Sequence, residues 1–334
     1  MVKNVIIMGV GSYHPEKVLY NDYYIEHYKK FGTDAHAIGM MEKMGRNRRT
    51  LAFEEETSIT MSVEAAKNAL LKANLSALDI DAIISVSDTP EYLTPCCALI
   101  IKNSLEAKNV TNVFDMNNDC IGMLTAIDIA SRYLKTDTKY KRILVVGSMN
   151  MTPFSREDDL VTYQGISDGA AAIILEVVEE EKERGFLGSR VFTDDSYNKN
   201  IRFPNCGLSK ITDEKTSNYD RRLRWDPFDF SFLSDEWSKL MTIHLGDHNL
   251  KPKDVSHYFI SQFSKHDLYE TLAKLGVDRS KAIFNGDKYG YTGCASPIIA
   301  LDDMLSINDF KTNDILVFCS VAAGYTMASL IYKW

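Results

Sequence analysis

The residue whose type and position best suit catalysis is a cysteine at the junction of a strand and a helix. Residues Val113 to Met116 are typical of a strand, and a helix is predicted from about Cys120 to Leu134. A helix N-terminus stabilises a thiolate through its free N–H groups and its dipole, so this position favours Cys120 as a nucleophile. Asp119 opposes that effect if its carboxylate faces the sulfur. From these residues alone, Cys120 is either a nucleophile or a small buried hydrophobe.

The other cysteines and the histidines offer weaker candidates. The six cysteines form no CxxC pair and no His/Cys cluster at zinc-ligand spacing, which predicts reduced thiols and no metal site. Cys294 holds the same place in the second half of the chain as Cys120 in the first, and its expected role is packing. His244 and His248 share one face of a predicted helix, but a third ligand is missing and both are expected to face solvent.

The glycines after the first strand do not predict a dinucleotide site. Gly9-Val10-Gly11 begins like a GxGxxG motif, but His14 stands at the third glycine and no acidic residue follows at a strand end. A tight exit from the strand is sufficient to explain these glycines. We therefore predict no cofactor.

Short strands alternate with helices throughout the chain, which indicates an α/β protein. Further strands are predicted at Val5 to Met8, Ala82 to Val86, Ile143 to Val146 and Ala171 to Leu175. A helix is predicted over Ser58 to Ala73, with Thr57 or Ser58 as its N-terminal cap.

The two halves of the chain repeat one pattern at a nearly constant offset. The segment Asp79 to Ile84 parallels Asp254 to Phe259 at an offset of 175, and Ile143 to Val146 parallels Ile315 to Phe318 at an offset of 172. Parallels that recur in one order suggest an internal duplication.

This repeat divides the chain into three parts. We predict an N-terminal half over residues 1–176, a connector with a long loop over 177–225 and a C-terminal half over 226–334. The connector opens with the charged run Glu179 to Arg184 and continues as a polar stretch. This loop is either a mobile surface loop without a function or the border of a functional site, since long loops in compact domains often border one.

The composition limits the partners. Lysine and arginine number 38 against 46 aspartates and glutamates, a net charge of -8, and this balance argues against nucleic-acid binding. No apolar run approaches the ~18 to 20 residues that cross a bilayer, and the first strand begins without a basic leader region. We predict a cytoplasmic protein without a membrane span.

The chain as a whole resembles the β-ketoacyl-ACP synthase III family, which has a thiolase-like fold. The matching segments are Gly9 to Pro15, Met44 to Arg49, Asp119 to Gly122, Ser167 to Ala171 and Ala322 to Thr326. The resemblance implies duplicated α/β halves in a layered α-β-α-β-α architecture, a homodimer and a narrow pantetheine tunnel. It also implies acyl-CoA or acyl-carrier protein as substrate and Cys120 as the acyl-accepting nucleophile. The backbone N–H groups of Cys120 and Ala323 are the implied oxyanion donors.

Two positions depart from the family pattern. Family members carry a histidine after the strand that corresponds to Tyr258–Ile260 and an asparagine thirty residues later, and both stabilise the enolate formed when malonyl thioester loses carbon dioxide. In this chain Ser261 and Tyr291 stand at these positions. A serine cannot accept a proton near neutral pH, and a phenol with a reference pKa of ~10 is mainly a donor. Loss of acid–base assistance costs ~10² to 10⁴ in rate, so we expect malonyl condensation to be impaired.

Other residues are poor replacements for the missing base. His266 lies five residues beyond Ser261, near the start of a predicted helix, and is expected to be exposed. Tyr291 and Tyr325 could donate hydrogen bonds to an intermediate or could line the cavity.

Several residues are predicted to bind the substrate. The basic cluster consists of Lys43, Arg46, Arg48 and Arg49. It is expected to hold CoA phosphates or an acidic carrier protein, or else to be a solvated loop, and Arg49 matches the family best. Arg156 and the run Arg221 to Arg224 are weaker candidates at a tunnel mouth. Thr94 lies in a loop that in the family reaches the neighbouring subunit's acyl pocket, and it leaves room there for longer or branched acyl groups.

These features favour an acyltransferase that loads an acyl group onto Cys120 and passes it to an acceptor. Acyl transfer needs a thiolate, oxyanion donors and an acceptor with its own nucleophile, and it does not need the decarboxylating residues. The alternative is a non-catalytic partner subunit of a heterodimeric ketosynthase.

Overall fold

Strands and helices alternate along the chain, as the sequence predicts. A computed structural model describes residues 1–307 and 310–334. The strands are β1 (Val2–Tyr13), β2 (Val18–Tyr20), β3 (Arg48–Thr50), β4 (Ala82–Val86), β5 (Asn112–Met116), β6 (Arg142–Met149), β7 (Gly169–Glu180), β8 (Gly185–Thr193), β9 (Ile201–Arg202), β10 (Arg224–Trp225), β11 (His257–Ile260), β12 (Ile315–Ala322) and β13 (Thr326–Lys333). The helices are α1 (Asn21–Lys29), α2 (Asp34–Met44), α3 (Ser58–Ala73), α4 (Cys97–Ser104), α5 (Gly122–Thr136), α6 (Thr162–Gly165), α7 (Leu233–Asp247), α8 (Lys265–Lys274) and α9 (Ser296–Ile307). Within the described residues, no helix combines the length and the apolar character needed to cross a bilayer.

The elements predicted from periodicity are confirmed. All five predicted strands lie within β1, β4, β5, β6 and β7, and α3 spans the predicted residues. The cap of α3 is Thr57: its hydroxyl accepts from the Thr60 N–H, and the Thr60 hydroxyl accepts from the Thr57 N–H. This reciprocal pairing satisfies two backbone donors that a helix start otherwise leaves free.

The large sheet consists of two halves with the same pairing pattern. Its strand order is β11-β12-β13-β8-β1-β7-β6-β4-β5. In the N-terminal half β4 and β6 are parallel and β6 and β7 antiparallel, and in the C-terminal half β11 and β12 are parallel and β12 and β13 antiparallel. The two halves meet where Val5 of β1 pairs with Gly185 of β8. The repeat seen in the sequence thus recurs in the pairing of the strands.

The helices form three layers around the two halves of the sheet. Helices α5 and α9 share one apolar core with strands of both halves. Helices α3 and α4 cover the outer face of the N-terminal half, and α7 and α8 cover the outer face of the C-terminal half. The result is the α-β-α-β-α layering expected of a thiolase-like fold.

The segment predicted as a connector contains a strand. Strand β8 lies within residues 177–225 and pairs antiparallel with β13 from Thr193 to Gly185. Its C-terminal residues are exposed, so the apolar alternation that would have revealed a strand is weak there. The division of the chain at residues 176 and 226 stays a prediction.

The histidine pair on α7 departs from its prediction. His244 was expected to face solvent, but it is buried against β13 and its Nδ1 lies 3.0 Å from the Ser329 hydroxyl. Burial lowers the pKa of His244 to about 4, which keeps the ring neutral at pH 7. The expectation for His244 was wrong because helical spacing alone does not show which face another element covers.

Candidate active site

Cys120 lies in the short turn that leads from β5 into α5. A single 3₁₀ turn, Asp119–Ile121, precedes the α-helix, and the Cys120 carbonyl accepts a hydrogen bond of 3.1 Å from the Ser320 hydroxyl at the end of β12. The corresponding turn of the second half, Gly293–Ala295, precedes α9 and packs against the first. Cys294 in that turn is fully buried, in keeping with its predicted packing role.

The Cys120 thiol lines a cavity of about 110 Å³ with largely apolar walls. Its aliphatic lining includes Met149, Met151, Ile166, Ile201 and Leu223. Its aromatic lining consists of Trp225, Phe228, Phe230, Phe232, Phe263, Tyr291 and Tyr325. Asp88 and Asp119 are the only charged side chains on its surface within the described residues.

Most of the aromatic residues in the cavity wall were not predicted from the sequence. The ring of Trp225 stacks on Phe263 with centroids 5.7 Å apart and on Phe228 at 5.9 Å. These aromatic residues follow the polar stretch, and Trp225, Phe228, Phe230 and Phe232 stand within eight positions of one another. That density of large apolar side chains in an otherwise polar loop is the signal that could have identified a cavity wall.

Asp119 faces the nucleophile, which is the arrangement that opposes thiolate formation. The Cys120 thiol donates to Asp119 Oδ1 at 3.3 Å. Asp119 has a positive φ of 49°, a conformation that Asp tolerates better than most side chains. Burial first, and then the charges of Asp119 and Asp88, hold the pKa of Cys120 well above its usual range. The resting nucleophile is therefore a neutral thiol that needs a base.

The N–H group of Ala323 is already engaged. It donates to Asp119 Oδ2 at 2.6 Å, at the end of β12 where the chain turns toward β13. The family resemblance implies that this N–H stabilises an oxyanion. In the resting site the Ala323 N–H donates to the Asp119 carboxylate instead. It can therefore stabilise an oxyanion only after that hydrogen bond is broken.

Of the two departures from the family pattern, Tyr291 contacts the Cys120 thiol and Ser261 contacts Tyr291. Ser261 follows β11 and is fully buried, and Tyr291 lines the cavity. The Tyr291 phenol interacts with the Cys120 sulfur and acts to lower the pKa of that thiol against the stronger opposing effects. Burial holds the pKa of Tyr291 well above its usual range, so the phenol is a neutral donor. The site therefore has a donor where the family has an amide, and a hydroxyl where it has an imidazole.

His266 does not supply a base. It lies on the first turn of α8 with an exposed side chain, and its Nε2 is 3.6 Å from Glu270. This placement agrees with the expectation that it faces solvent.

Arg46 and Arg49 are buried in the protein and do not present their charge at a surface. The Arg46 guanidinium donates five hydrogen bonds of 2.7 to 3.3 Å to carbonyl oxygens. Arg49 donates to the carbonyl and the side-chain oxygen of Gln164 and to Asn21. Both side chains have 1% exposure or less, so the prediction that they hold CoA phosphates was wrong. The N–H groups of these two guanidinium groups connect the loops around the active site through hydrogen bonds.

The remaining predicted binding residues occupy different places. Arg156 is buried, donates to the Tyr219 carbonyl and stacks on that ring with 3.8 Å to its centroid. It therefore contributes to loop structure, and the surrounding surface also carries Asp158, Asp159 and Asp220. Lys43 is exposed, with its ammonium group 5.0 Å from the centre of the Phe230 ring in the cavity wall. Thr94 is exposed and does not line the cavity of its own chain, so its role toward a neighbouring subunit stays a prediction.

Three donor atoms close enough to bind one ion are those of Asp88, Asp119 and Cys120, which lie within 4.8 Å of one another. The hydrogen bond from the thiol to Asp119 satisfies part of this set without an ion.

Comparison with known proteins identifies the family. The model for 3-oxoacyl-[acyl-carrier-protein (ACP)] synthase III matches residues 114–195, and the model for its C-terminal region matches residues 245–334. The chain belongs to the β-ketoacyl-ACP synthase III family. The β-ketoacyl-[acyl-carrier-protein] synthase III of Solibacter usitatus is 28% identical over 333 residues, which are 98% of each chain. That of Aquifex aeolicus is 28% identical over 328 residues, covering 98% of this chain and 99% of the relative.

A solved structure supports the same assignment. The crystal structure of the Aquifex aeolicus 3-oxoacyl-[acyl-carrier-protein] synthase III superposes with a TM-score of 0.86 at 26% identity and covers 99% of this chain and 100% of that one. The expected thiolase-like fold is thereby confirmed. Membership of this family places the chain in a class of condensing enzymes that transfer acyl groups.

Proposed function

We propose that this synthase III is an acyltransferase whose Cys120 takes an acyl group from acyl-CoA or acyl-carrier protein and passes it to an acceptor. The acceptor supplies its own nucleophile: a hydroxyl, an amine or the activated carbon of a β-keto thioester. The observation that carries this proposal is the position of Cys120, at a helix start and on the wall of an apolar cavity. An apolar cavity suits an acyl chain, and a thiol on the cavity wall can form a covalent intermediate with it.

The residues beside the thiol favour transfer over decarboxylation. Decarboxylation of a malonyl thioester needs donors that stabilise an enolate, and the buried Ser261 replaces the imidazole that supplies one in the family. Acyl transfer requires instead a deprotonated sulfur and donors for one oxyanion. Tyr291 can act as a donor in either reaction.

Intact-protein mass spectrometry tests the proposal. The protein is incubated with a panel of acyl-CoAs and acyl-carrier proteins beside a Cys120→Ala control. We expect a stoichiometric mass increase equal to the acyl group, absent from the Cys120→Ala protein. A mass increase that persists in that control, or no increase with any donor, contradicts the proposal, and the second result favours the partner-subunit alternative.

The oligomeric state separates the two alternatives further. A homodimer is part of the proposal, and light scattering on the purified chain is expected to give twice the mass of 37.8 kDa. A chain that is insoluble alone and soluble with a second ketosynthase subunit favours the non-catalytic role.

A further inference from the structure

Two carboxyl groups lie next to the nucleophile in a cavity whose described lining includes no cationic side chain. Asp88 follows β4, and Asp119 immediately precedes Cys120, so two neighbouring parallel strands deliver the pair to one edge of the sheet. Asp119 uses both of its oxygens, Oδ1 for the Cys120 thiol and Oδ2 for the Ala323 N–H. Asp88 Oδ1 is buried without a hydrogen-bond partner. The remaining lining of the cavity is neutral.

Two adjacent carboxyls in an apolar cavity hold one proton more readily than they carry two charges. Burial and the neighbouring Asp119 charge raise the pKa of Asp88 to about 8. At pH 7 Asp88 is therefore protonated. Asp119 is the member of the pair that contacts the nucleophile, since its Oδ1 accepts the hydrogen bond of the Cys120 thiol.

We propose that Asp119, which accepts the hydrogen bond of the Cys120 thiol and lies next to Asp88, is the general base of this enzyme. The inference rests on the proposed function and assigns the base that Ser261 cannot provide. In acylation, Asp119 takes the Cys120 proton while Sγ forms a bond to the thioester carbonyl carbon. The bond from that carbon to the donor sulfur then breaks, and the leaving thiolate takes the proton back from Asp119. Cys120 thiol and acyl thioester thus give acyl-Cys120 and free donor thiol.

The second half-reaction uses the same groups. Asp119 takes the proton of the acceptor as its nucleophile attacks acyl-Cys120, and the departing Cys120 thiolate recovers that proton. Protonation of Asp119 also removes the charge that holds the Ala323 N–H, which weakens that contact and makes the N–H available to the oxyanion. One proton transfer therefore provides both the nucleophile and the oxyanion donor.

The test compares Asp119→Asn with the wild type in two assays on the full protein. Asparagine keeps an oxygen for the Ala323 N–H and tolerates a positive φ, so the backbone of the turn is retained. The first assay follows acylation of Cys120 by mass spectrometry at millisecond to minute times between about pH 5 and 9, and the second follows alkylation of Cys120 by iodoacetamide. Asp229→Asn, on an exposed loop residue between Phe228 and Phe230, is the matched control that removes one carboxylate near the cavity.

We expect Asp119→Asn to slow acylation at pH 7 by 10²- to 10⁴-fold, the usual contribution of a positioned base. Alkylation, which needs only the thiolate, is expected to be as fast as in the wild type or faster, because a negative charge next to the sulfur has gone. The titratable groups that face the thiol are Asp88, Asp119 and Tyr291, with Cys294 nearby. Burial holds the pKa values of Tyr291 and Cys294 well above their usual ranges, so neither of these two groups sets the pH profile of acylation near neutral pH.

Three results would overturn the inference. Acylation of Asp119→Asn within threefold of the wild type shows that Asp119 is not the base, and a parallel loss of acylation and alkylation shows that it only maintains the turn. Asp88→Asn keeps a hydrogen-bond donor toward Asp119 and is expected to retain at least a tenth of the wild-type rate. A loss as deep as that of Asp119→Asn assigns the proton transfer to Asp88 instead. If the wild type itself is not acylated, the proposed function fails before this inference is reached.

Discussion

Replacing Arg46 with Met is expected to unfold the region around the active site without a specific effect on donor binding. The guanidinium donates to the carbonyls of Met44, Gly165, Gln262, Phe263 and Gly286. Methionine fills a similar volume but leaves these oxygens without their donor. Hydrogen bonds to a charged group contribute about 1.5 to 3 kcal/mol each to stability. Part of that loss is offset in the variant, because the desolvation cost of burying the guanidinium, several kcal/mol, is no longer incurred. The expected net loss is about 3 to 5 kcal/mol in the free energy of unfolding.

The assay is urea unfolding followed by tryptophan fluorescence, combined with the donor KM of the fraction that remains folded. Lys43→Met is the control, since Lys43 belongs to the same basic cluster but is exposed over Phe230. An exposed cation–π contact contributes about 0.5 to 1 kcal/mol, so Lys43→Met should leave the unfolding midpoint nearly unchanged. A normal midpoint for Arg46→Met together with a tenfold higher KM for acyl-CoA would refute the reasoning and restore a phosphate-binding role.

Further predictions concern the walls of the site. Tyr291→Phe removes a donor that lowers the pKa of the Cys120 thiol, so we expect that pKa to rise and alkylation by iodoacetamide at pH 8 to slow several-fold; unchanged alkylation would show that the phenol does not reach the sulfur. Trp225→Ala removes a ring that stacks on both Phe228 and Phe263, and we expect the preferred acyl chain in a donor panel to become longer, whereas an unchanged preference would place the chain elsewhere.

The sequence predicted the elements that follow a strong periodicity. Helix α3 has both an apolar stripe and a reciprocal cap at Thr57, and local signals of this kind do not depend on the rest of the fold. The strand-to-helix junction at Cys120 was recognised for the same reason.

The contacts between distant segments were not predictable in this way. Arg46 and Arg49 were interpreted as a surface cluster because their charge suggests solvent, but carbonyl groups more than a hundred residues away surround them in the fold. A charged residue whose partners are backbone oxygens leaves no complementary charge in the sequence to indicate its burial. The Ala323 N–H was assigned from the family pattern, and its hydrogen bond to the Asp119 carboxylate joins segments 204 residues apart, which the sequence does not show.

The replacement of the family histidine by Ser261 and the presence of Asp88 and Asp119 both disfavour a malonyl thioester as the acceptor. A malonyl thioester would bring its own carboxylate into a cavity whose described lining carries the Asp119 carboxylate beside the protonated Asp88. Two like charges about 5 Å apart repel by about 3 kcal/mol at an effective dielectric constant of about 20, which disfavours that substrate by roughly a hundredfold. A neutral acceptor meets no such penalty, and it needs the base that a malonyl thioester, which loses carbon dioxide instead of a proton, does not. The Asp119 carboxylate that would repel a malonyl group can therefore remove a proton from a protic acceptor. With Ser261 and Tyr291 in place of the family residues, the site is thus suited to a different acceptor and is not simply a less active condensing site.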